Sequence, residues 1–308
     1  MSEPDAYSYP QYLSAKKAID DRSLNQRVWT CFLEDLLSRG SSLRILEVGG
    51  GVGATVQRLV AALETRNAEA LHYTFVERAP NNVNTAISAL QTWATERGYQ
   101  VTSVQNGNEQ EQHWSNGPLE ATLRFVTADL YDINERSSYD AVVAQALFDL
   151  LDIPRALQVL RPSLQAGGLW YLPIHFDGVT AFEPPTDPSL DARVERLYHE
   201  SMQEGGGQGE IEGAHSGRRL LGHLQNVGAS LLEVGGSDWC VFPGPSGYSS
   251  DEAYFLHHIL HFIEEELTGH PDLEESNFSK WINTRRHHIE TEQLIYIAHQ
   301  LDLLARMP

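Results

Sequence analysis

The segment LRILEVGGGVGA, at residues 43–54, constrains the fold of this chain more than any other feature. Its apolar run, 43–48, predicts a short buried strand, and residues 54–64 that follow the glycines predict a helix. The glycines allow a tight turn and let a ligand approach the backbone without meeting a Cβ atom. The N-terminus of the following helix directs free N–H groups at that ligand. The segment therefore predicts a strand–turn–helix unit that binds a ligand.

Further short apolar runs alternate with helical patterns along the next part of the chain. Strands are predicted at 71–76, 122–127, 139–144 and 169–174, with helices at 80–97 and 153–164 between them. This alternation predicts an α/β fold with a doubly wound, mostly parallel sheet, whose ligand lies at the carboxyl ends of the strands. The polar residues 101–118 predict a loop or insertion.

The flanking regions have a different pattern. We predict an N-terminal helical arm or lid over 1–40, a core over 41–245 with an insertion at 176–216, and a helical appendage over 246–308. The insertion contains three proline-rich turns and the run Gly205-Gly206-Gly207. Within the core, two short runs separated by a tight turn, at 230–235 and 238–242, predict an antiparallel edge hairpin. In the appendage, 250–268 and 274–305 are predicted to be helical.

Charge and composition limit the classes of partner that the chain is expected to bind. The formal net charge is −20, with 42 acidic and 22 basic residues. Such a surface repels phosphate backbones, so we expect no nucleic-acid substrate. No apolar run approaches 18 residues, and the polar N-terminal residues do not resemble a secretory signal, so we expect no membrane span and a cytoplasmic location. Cys31 and Cys240 are then predicted to be buried, reduced thiols.

The glycine turn alone leaves two ligand classes open. Gly49-x-Gly51-x-x-Ala54 also satisfies the fingerprint of dinucleotide-binding folds. Glu47, two residues before the first glycine, would repel a pyrophosphate and attract a cationic amino acid group. Glu77, at the end of the second strand, can accept hydrogen bonds from ribose hydroxyls in either class. Asp129 ends the third strand and can accept from the exocyclic amine of an adenine.

At this point the sequence resembles the class I S-adenosylmethionine-dependent methyltransferases, in their small-molecule or quinone-type branch. The resemblance covers about residues 40–242 and is carried by five segments: LEVGGGVGA at 46–54, FVER at 75–78, TADL at 127–130, YDAVVAQALFDLL at 139–151 and LRPSLQAGGLWYL at 160–172. It implies a seven-stranded Rossmann-like sheet in which 230–242 supplies the antiparallel end. It also implies methyl transfer from S-adenosyl-L-methionine to the O, N or C atom of a small molecule.

Residue roles follow from the resemblance, position by position. Gly49, Gly51 and Gly53 would form the floor beneath the amino acid and ribose of the cofactor. The remaining cofactor-binding positions implied are Glu47, Glu77 with its neighbour Arg78, Asp129, Leu130 and Gln145. Gln145, at the end of the fourth strand, would face the methionine end. No Asn-Pro-Pro-Tyr signature follows that strand, which argues against the amino-methylating DNA enzymes.

Residues that would act on the acceptor carry weaker signals. His175, just past the fifth strand, is the candidate general base, with Asp177 to orient it; the alternative is a structural histidine. Tyr12 and Arg22, in the predicted lid, and Phe148 and Phe176 are the candidate substrate-binding residues. Deletion of residues 1–22 is expected to weaken cofactor binding if the arm is a lid.

Other interpretations stay open from the sequence. An NAD-dependent oxidoreductase fits the glycine turn, and a non-catalytic S-adenosylmethionine-binding regulatory protein fits the lack of an assured base. His257 and His261 share a helix face, but no HExxH pattern accompanies them, so we predict no metal site. Residues 250–305 could form a homodimer interface as readily as a substrate lid.

Overall fold

The structure is a computed structural model that describes residues 4, 6–66, 68–106, 109–136, 138–204, 211–249 and 251–308. Its strands are Ser42–Val48 (β1), Ala70–Glu77 (β2), Gln100–Asn106 (β3), Glu109–Ser115 (β4), Glu120–Thr127 (β5), Tyr139–Val143 (β6), Leu164–Glu183 (β7), Ser230–Gly236 (β8), Trp239–Val241 (β9) and Ile295–Arg306 (β10). Its α-helices are Tyr9–Ser23 (α1), Gln26–Leu37 (α2), Ala54–Glu64 (α3), Pro80–Glu96 (α4), Ile153–Leu160 (α5), Pro188–Glu204 (α6), Ser216–Asn226 (α7), Glu252–Leu267 (α8) and Glu275–Glu290 (α9). The predicted run Gly205-Gly206-Gly207 lies outside the described residues.

One mixed sheet organises the molecule. In the described part of the chain it has ten strands, in the order β3-β4-β5-β2-β1-β6-β7-β10-β8, with β9 also paired to β10. The five central strands, β5-β2-β1-β6-β7, are parallel, and both edges are antiparallel. The α/β fold with a doubly wound, mostly parallel sheet is therefore confirmed.

The predicted count of seven strands is too small. The chain has the seven strands β5-β2-β1-β6-β7-β10-β8, and β3, β4 and β9 are additions. Strands β3 and β4 form an antiparallel hairpin where residues 101–118 were expected to be a loop. The error arose because their side chains are mostly polar: β3 is an edge strand with one face in water, so its apolar signal is weak.

The C-terminal prediction is wrong for its last part. Residues 274–305 were expected to be helical, but α9 ends at Glu290 and β10 occupies Ile295–Arg306. Strand β10 lies between β7 and β8 and is antiparallel to both. The edge hairpin at 230–242 is also wrong in its pairing, because β8 and β9 each pair with β10. The apolar residues of Ile295–Arg306 fit both the helical and the strand periodicity. Backbone hydrogen bonds to the edge of β7 select the strand.

Three apolar clusters hold the layers together. Helices α2, α3 and α4 pack on one face of the parallel strands, and α5 and α7 pack on the other. The third cluster lies where β7 and β10 extend beyond the parallel strands, and it joins α1, α6, α8 and α9. The N-terminal helix and the C-terminal helices therefore share one core, although the three-part division of the chain stays a prediction.

Local signals set several helix starts. The Asn25 side chain accepts hydrogen bonds from the amides of Arg27 and Val28, both 3.2 Å, at the start of α2. Asp152 accepts from the Arg155 amide at 3.0 Å at the start of α5. The prediction that both cysteines are buried is wrong: Cys240 is exposed on β9, and Cys31 of α2 is only half-buried. Among the described helices, none has the length and apolarity that crossing a membrane requires.

Candidate functional site

The glycine turn lies between β1 and α3, at the carboxyl edge of the parallel strands. Gly49, Gly51 and Gly53 have φ angles of +68°, +58° and +85°, which other residues rarely adopt. The amides of Gly49 and Gly50 both donate to the Val76 carbonyl of β2, at 2.9 and 3.2 Å. These bonds fix the turn against the neighbouring strand and leave its outer surface toward the carboxyl end of the sheet.

Glu77 is the carboxylate most closely tied to this turn. One oxygen, Oε2, accepts from the Gly51 amide at 3.0 Å, and Oε1 accepts from the Ala79 amide at 2.8 Å. Each carboxylate oxygen has two lone pairs, so Glu77 can accept further hydrogen bonds from a ligand. Its side chain is half-buried, whereas the neighbouring Arg78 is exposed. The structure thus holds Glu77 in a fixed position beside the turn.

Asp129 lies two residues beyond the end of β5 at Thr127, and β5 is the next strand outward from β2. Its Oδ1 accepts from the Tyr131 amide at 3.0 Å, which caps the short 3-10 helix Leu130–Asp132. Asp129 is half-buried, and Leu130 packs into the core. The capping bond leaves Oδ2 of Asp129 available to a donor. Glu77, the last residue of β2, and Asp129, just after β5, therefore lie at the carboxyl ends of adjacent parallel strands.

Glu47 does not lie on the open surface of the turn. Its side chain is buried, and Oε2 accepts from the Tyr73 hydroxyl at 2.9 Å. Burial raises the pKa of Glu47 to about 7, against hydrogen bonds from Thr55 and Tyr73 that lower it. Strand alternation explains this position, because Leu43, Ile45 and Glu47 all point to the face covered by α3. Its attraction for a cationic ligand is correspondingly weaker than expected.

Gln145 is held in a polar network between the sheet and α1. Its amide nitrogen donates to Asp20 at 2.7 Å, and its oxygen accepts from Arg58 at 2.9 Å. Asp20 also binds Lys16 at 2.7 Å and the Trp239 indole at 2.9 Å. The hydrogen bond between Gln145 and Asp20 therefore joins α1 to the carboxyl end of β6.

Helix α1 covers the glycine turn. A Cβ atom placed on Gly51 would lie 3.3 Å from Leu13 Cδ1. Tyr9, in the first turn of α1, is about half exposed, and desolvation by the surrounding protein and the charge of Glu77 raise the pKa of its hydroxyl. Leu13 of α1 thus lies against Gly51, and the charge of Glu77 acts on Tyr9. Neither residue was predicted from the sequence.

The two residues of the arm that the sequence did single out serve other contacts. Tyr12 is buried and stacks on His258 and Phe255 of α8, with ring centroids 4.7 and 5.6 Å apart. Arg22 forms an ion pair with Glu252 at 2.5 Å and donates to the Cys240 carbonyl at 3.1 Å. Both side chains attach α1 to the helical layer above the sheet.

His175 is fully buried in β7. Its Nδ1 lies 3.2 Å from the Leu172 carbonyl, and its Nε2 has no hydrogen-bond partner in the described part of the chain. Burial lowers the pKa of His175 to about 3, so the imidazole is neutral and weakly basic at pH 7. Asp177, expected to orient it, accepts instead from Arg218 at 2.7 Å. These properties do not favour His175 as a base, although its role stays a prediction.

Asp149 was missed by the sequence analysis. It follows Phe148, whose buried ring packs edge-on against His175 at 5.7 Å. Oδ2 of Asp149 accepts from the Phe176 amide at 3.3 Å, and Oδ1 is buried with no hydrogen-bond partner among the described residues. Burial raises the pKa of Asp149 to about 7. An acidic residue after the fourth parallel strand was the available signal, but its burial depends on β7.

Strained backbone marks the same edge of the sheet. Ala146, after β6, has a φ angle of +49°, and Ile174 of β7 has a φ angle of +59°. The Ala146 amide donates to the Pro173 carbonyl at 3.1 Å, and the Ile174 amide donates to Asp302 of β10 at 2.8 Å. Left-handed conformations of residues with a side chain cost energy and persist where the surroundings enforce them, often at functional sites.

Comparison with solved structures relates this fold to known proteins. No protein-family model matches the chain, and no curated protein matches it. A solved structure named loganic acid methyltransferase with SAH is 13% identical, covers 100% of this chain and 98% of its own, and has a TM-score of 0.53. A SAM-dependent methyltransferase from Thiobacillus denitrificans, in complex with S-adenosyl-L-homocysteine, is 12% identical over 100% of both chains, with a TM-score of 0.47. At 13% identity, the first likeness establishes the methyltransferase fold and nothing finer.

Proposed function

We propose that this chain is a methyltransferase that uses S-adenosyl-L-methionine and acts on a small molecule. The observation that carries the proposal is the position of Glu77, a carboxylate bonded to the Gly51 amide within a turn of left-handed glycines. A neighbour with the same fold is named for loganic acid, a small molecule, and its structure is described as containing SAH. The net charge of −20 favours a small acceptor over a nucleic acid.

The same bond argues against a dinucleotide. In dinucleotide-binding folds, amides of the glycine turn bind the pyrophosphate. Here the Gly51 amide already donates to Glu77 at 3.0 Å, so a pyrophosphate at that point would meet a carboxylate. A ligand with ribose hydroxyls and a cationic group avoids this repulsion.

The described residues fit the proposed cofactor. Glu77 would accept hydrogen bonds from the ribose hydroxyls, and Asp129 would accept from the adenine amine. Leu13 and Tyr9 of α1 would exclude water above the turn, which gives the arm the role of a lid. When bound, S-adenosyl-L-methionine supplies a methyl group on a strongly electrophilic sulfonium. The remaining task of the chain is to hold the acceptor in line.

Isothermal titration of the wild-type chain tests the cofactor directly. We expect S-adenosylmethionine and S-adenosylhomocysteine to bind with micromolar dissociation constants and NAD to show no binding at 1 mM. Binding of NAD alone would move the chain to the oxidoreductases. Binding of none of the three would contradict the proposal. If the first two bind but no acceptor is methylated, the chain is a regulatory binding protein.

The acceptor end of the site is proposed to use Asp149 as a general base. A base with a pKa near the working pH removes a proton most effectively, and the pKa of Asp149 is raised by burial to about 7. The side chain lies after β6, at the sheet edge that also holds the glycine turn. The positive charge of Lys16 on α1 acts to lower this pKa. The proposed lid and the proposed base therefore lie in one region of the molecule.

This burial has a measurable effect on stability. The unfolded carboxyl ionises above about pH 4, whereas the folded one keeps its proton to about 7, so folding takes up a proton and stability falls across this window. Asp149→Asn removes the buried charge and is expected to raise the free energy of unfolding by roughly 1–3 kcal/mol at pH 8, with little change at pH 4. Urea denaturation at both pH values measures the difference.

The matched control is Asp152→Asn, three residues further on. Asp152 caps α5, and asparagine caps a helix about as well, so stability is expected to change little at either pH. Equal behaviour of the two variants at pH 8 would mean that the pKa of Asp149 is not raised in the folded chain, and it would remove the reason to regard it as a base.

A further inference from the structure

Arg58 lies in the second turn of α3, the helix that follows the glycine turn. Only 11% of its side chain is exposed, and the side chain connects α3 with two other elements. Its Nη1 donates to Oε1 of Gln145 at 2.9 Å, and its Nε donates to Oδ1 of Asp21 on α1 at 2.8 Å. The guanidinium of Arg58 therefore lies between α1 and the carboxyl end of β6.

Asp21 satisfies this guanidinium incompletely. Nη2 of Arg58 is buried and lies 2.7 Å from the same Oδ1 atom that Nε binds, without the geometry of a hydrogen bond. The other oxygen of Asp21, Oδ2, accepts from Lys17 at 2.5 Å. A carboxylate pairs best with arginine through two parallel hydrogen bonds, one to each oxygen. Nη2 has no hydrogen-bond partner among the described residues, and a carboxylate with two free oxygens would supply one.

The order of the strands indicates which part of the proposed cofactor would reach Arg58. Along the sheet the order is β5-β2-β1-β6. Asp129 follows β5 and Glu77 ends β2, so an adenine at Asp129 and a ribose at Glu77 would place the amino acid end of the cofactor over β1 and β6. Gln145, which is bonded to Arg58, follows β6. The guanidinium thus lies on the side of the glycine turn where this amino acid end is expected.

The carboxylate at that end needs a positive charge close to it. Glu77 lies beside the glycine turn and would repel a second carboxylate unless a cation offsets the repulsion. Lys16 and Lys17 of α1 each pair with the aspartate four residues further along the same helix, at 2.7 and 2.5 Å. Arg58 belongs to α3, stays protonated at any working pH and has an unsatisfied Nη2, so it suits a ligand carboxylate best.

We propose, on the basis of the proposed function, that Arg58 binds the α-carboxylate of the methionine moiety, and that Asp21 takes this position when the cofactor is absent. The arm and the cofactor then compete for one guanidinium. Leu13 of the same helix lies against Gly51, so a ligand that covers the turn displaces this side chain as well. Cofactor binding is thereby coupled to release of the ion pair between α1 and α3.

Isothermal titration with two ligands that differ only in the carboxylate tests the role of Arg58. The ligands are S-adenosylhomocysteine and its decarboxylated form. Arg58→Gln is expected to weaken the binding of S-adenosylhomocysteine by about tenfold or more and to leave the binding of the decarboxylated form no weaker than in the wild type. Arg66→Gln removes the same charge from an exposed position just past the end of α3, and both ligands should bind it as they bind the wild type.

Asp21→Asn tests the competition between the arm and the cofactor. Asparagine has nearly the same size but no charge, so it holds Arg58 less firmly. We expect this variant to bind S-adenosylhomocysteine about threefold or more tightly than the wild type does, because hydrogen bonds between charged groups are the stronger ones. Asp35→Asn is the control, since Asp35 pairs with Arg306 of β10, and it should leave the affinity unchanged.

The results distinguish the role of Arg58 from the binding of the cofactor itself. If the wild type binds neither ligand, the proposed function fails together with this proposal. If the wild type binds S-adenosylhomocysteine but Arg58→Gln keeps its affinity for both ligands, or loses it equally for both, Arg58 does not recognise the carboxylate and only this proposal is overturned. It is likewise overturned if Asp21→Asn gains no affinity for S-adenosylhomocysteine.

Discussion

Glu77→Ala is expected to weaken the binding of S-adenosylmethionine and S-adenosylhomocysteine by about 100-fold or more. Hydrogen bonds to a charged group contribute about 1.5–3 kcal/mol each, and the proposed ribose contacts are two. The substitution also releases the Gly51 and Ala79 amides, which the carboxylate holds at 3.0 and 2.8 Å. Isothermal titration of both ligands against wild type and variant measures the effect.

A control at the other end of the same strand separates binding from folding. Glu69 precedes β2 and is exposed, so Glu69→Ala removes a carboxylate of the same type far from the glycine turn. We expect Glu69→Ala to bind as the wild type does, and thermal unfolding should show that both variants are folded. An affinity of Glu77→Ala within threefold of the wild type would contradict the proposed site.

Asp191→Ala is expected to destabilise the chain by about 3–5 kcal/mol, because it leaves a buried guanidinium without its partner. Arg285 has no exposed surface and binds Asp191 at 2.7 Å. The same carboxylate accepts from the Trp281 indole at 2.6 Å and from the Thr186 hydroxyl at 2.9 Å. These bonds join α6 to α9, so their loss affects the whole helical layer. Chemical denaturation at pH 7 measures the change.

The exposed ion pair of the same helix is the control. Arg196 and Glu200 are about half exposed and lie 2.7 Å apart, so Glu200→Ala is expected to cost less than about 1 kcal/mol. Comparable losses in the two variants would mean that the Asp191 carboxylate contributes no more than a surface pair does.

The stabilisation that Asp191 provides decreases as the pH falls. Burial opposes the ionisation of Asp191, but hydrogen bonds from Trp281 and Thr186 and the charge of Arg285 outweigh it and lower its pKa. The contribution of Asp191 to the free energy of unfolding is therefore fully present above the usual aspartate pKa of about 3.8. It is lost as the pH falls below that value. The difference in stability between wild type and Asp191→Ala should shrink in this acidic range.

The parallel core could be predicted from the sequence because its signals are local. Strand β1, the glycine turn and helix α3 follow one another within residues 42–64, and each is specified by its own periodicity or by glycine. The end of β2 at Glu77 and the end of β5 at Thr127 could be predicted for the same reason. Right-handed crossovers then bring Glu77 and Asp129 to one edge of the sheet.

The orientation of site residues was only partly predictable. Period-two alternation places Glu47 on the same face as Ile45, beneath α3, and this could have been deduced from the sequence. The partners of Gln145 could not, because Asp20 lies 125 residues away in the chain. The position of Asp149 likewise depends on the Phe176 amide of β7, 27 residues further along the chain.

What the sequence by itself determined is the α/β core and the glycine turn with its neighbouring carboxylates, because short-range periodicity and backbone freedom specify them. Only the tertiary structure decided that Ile295–Arg306 is a strand, since its apolar spacing fits either element and hydrogen bonds to β7 select the extended form. It also decided that Leu13 of α1 lies against Gly51 and that Oδ1 of Asp149 is buried. Those outcomes depend on contacts between distant residues, which no local pattern specifies.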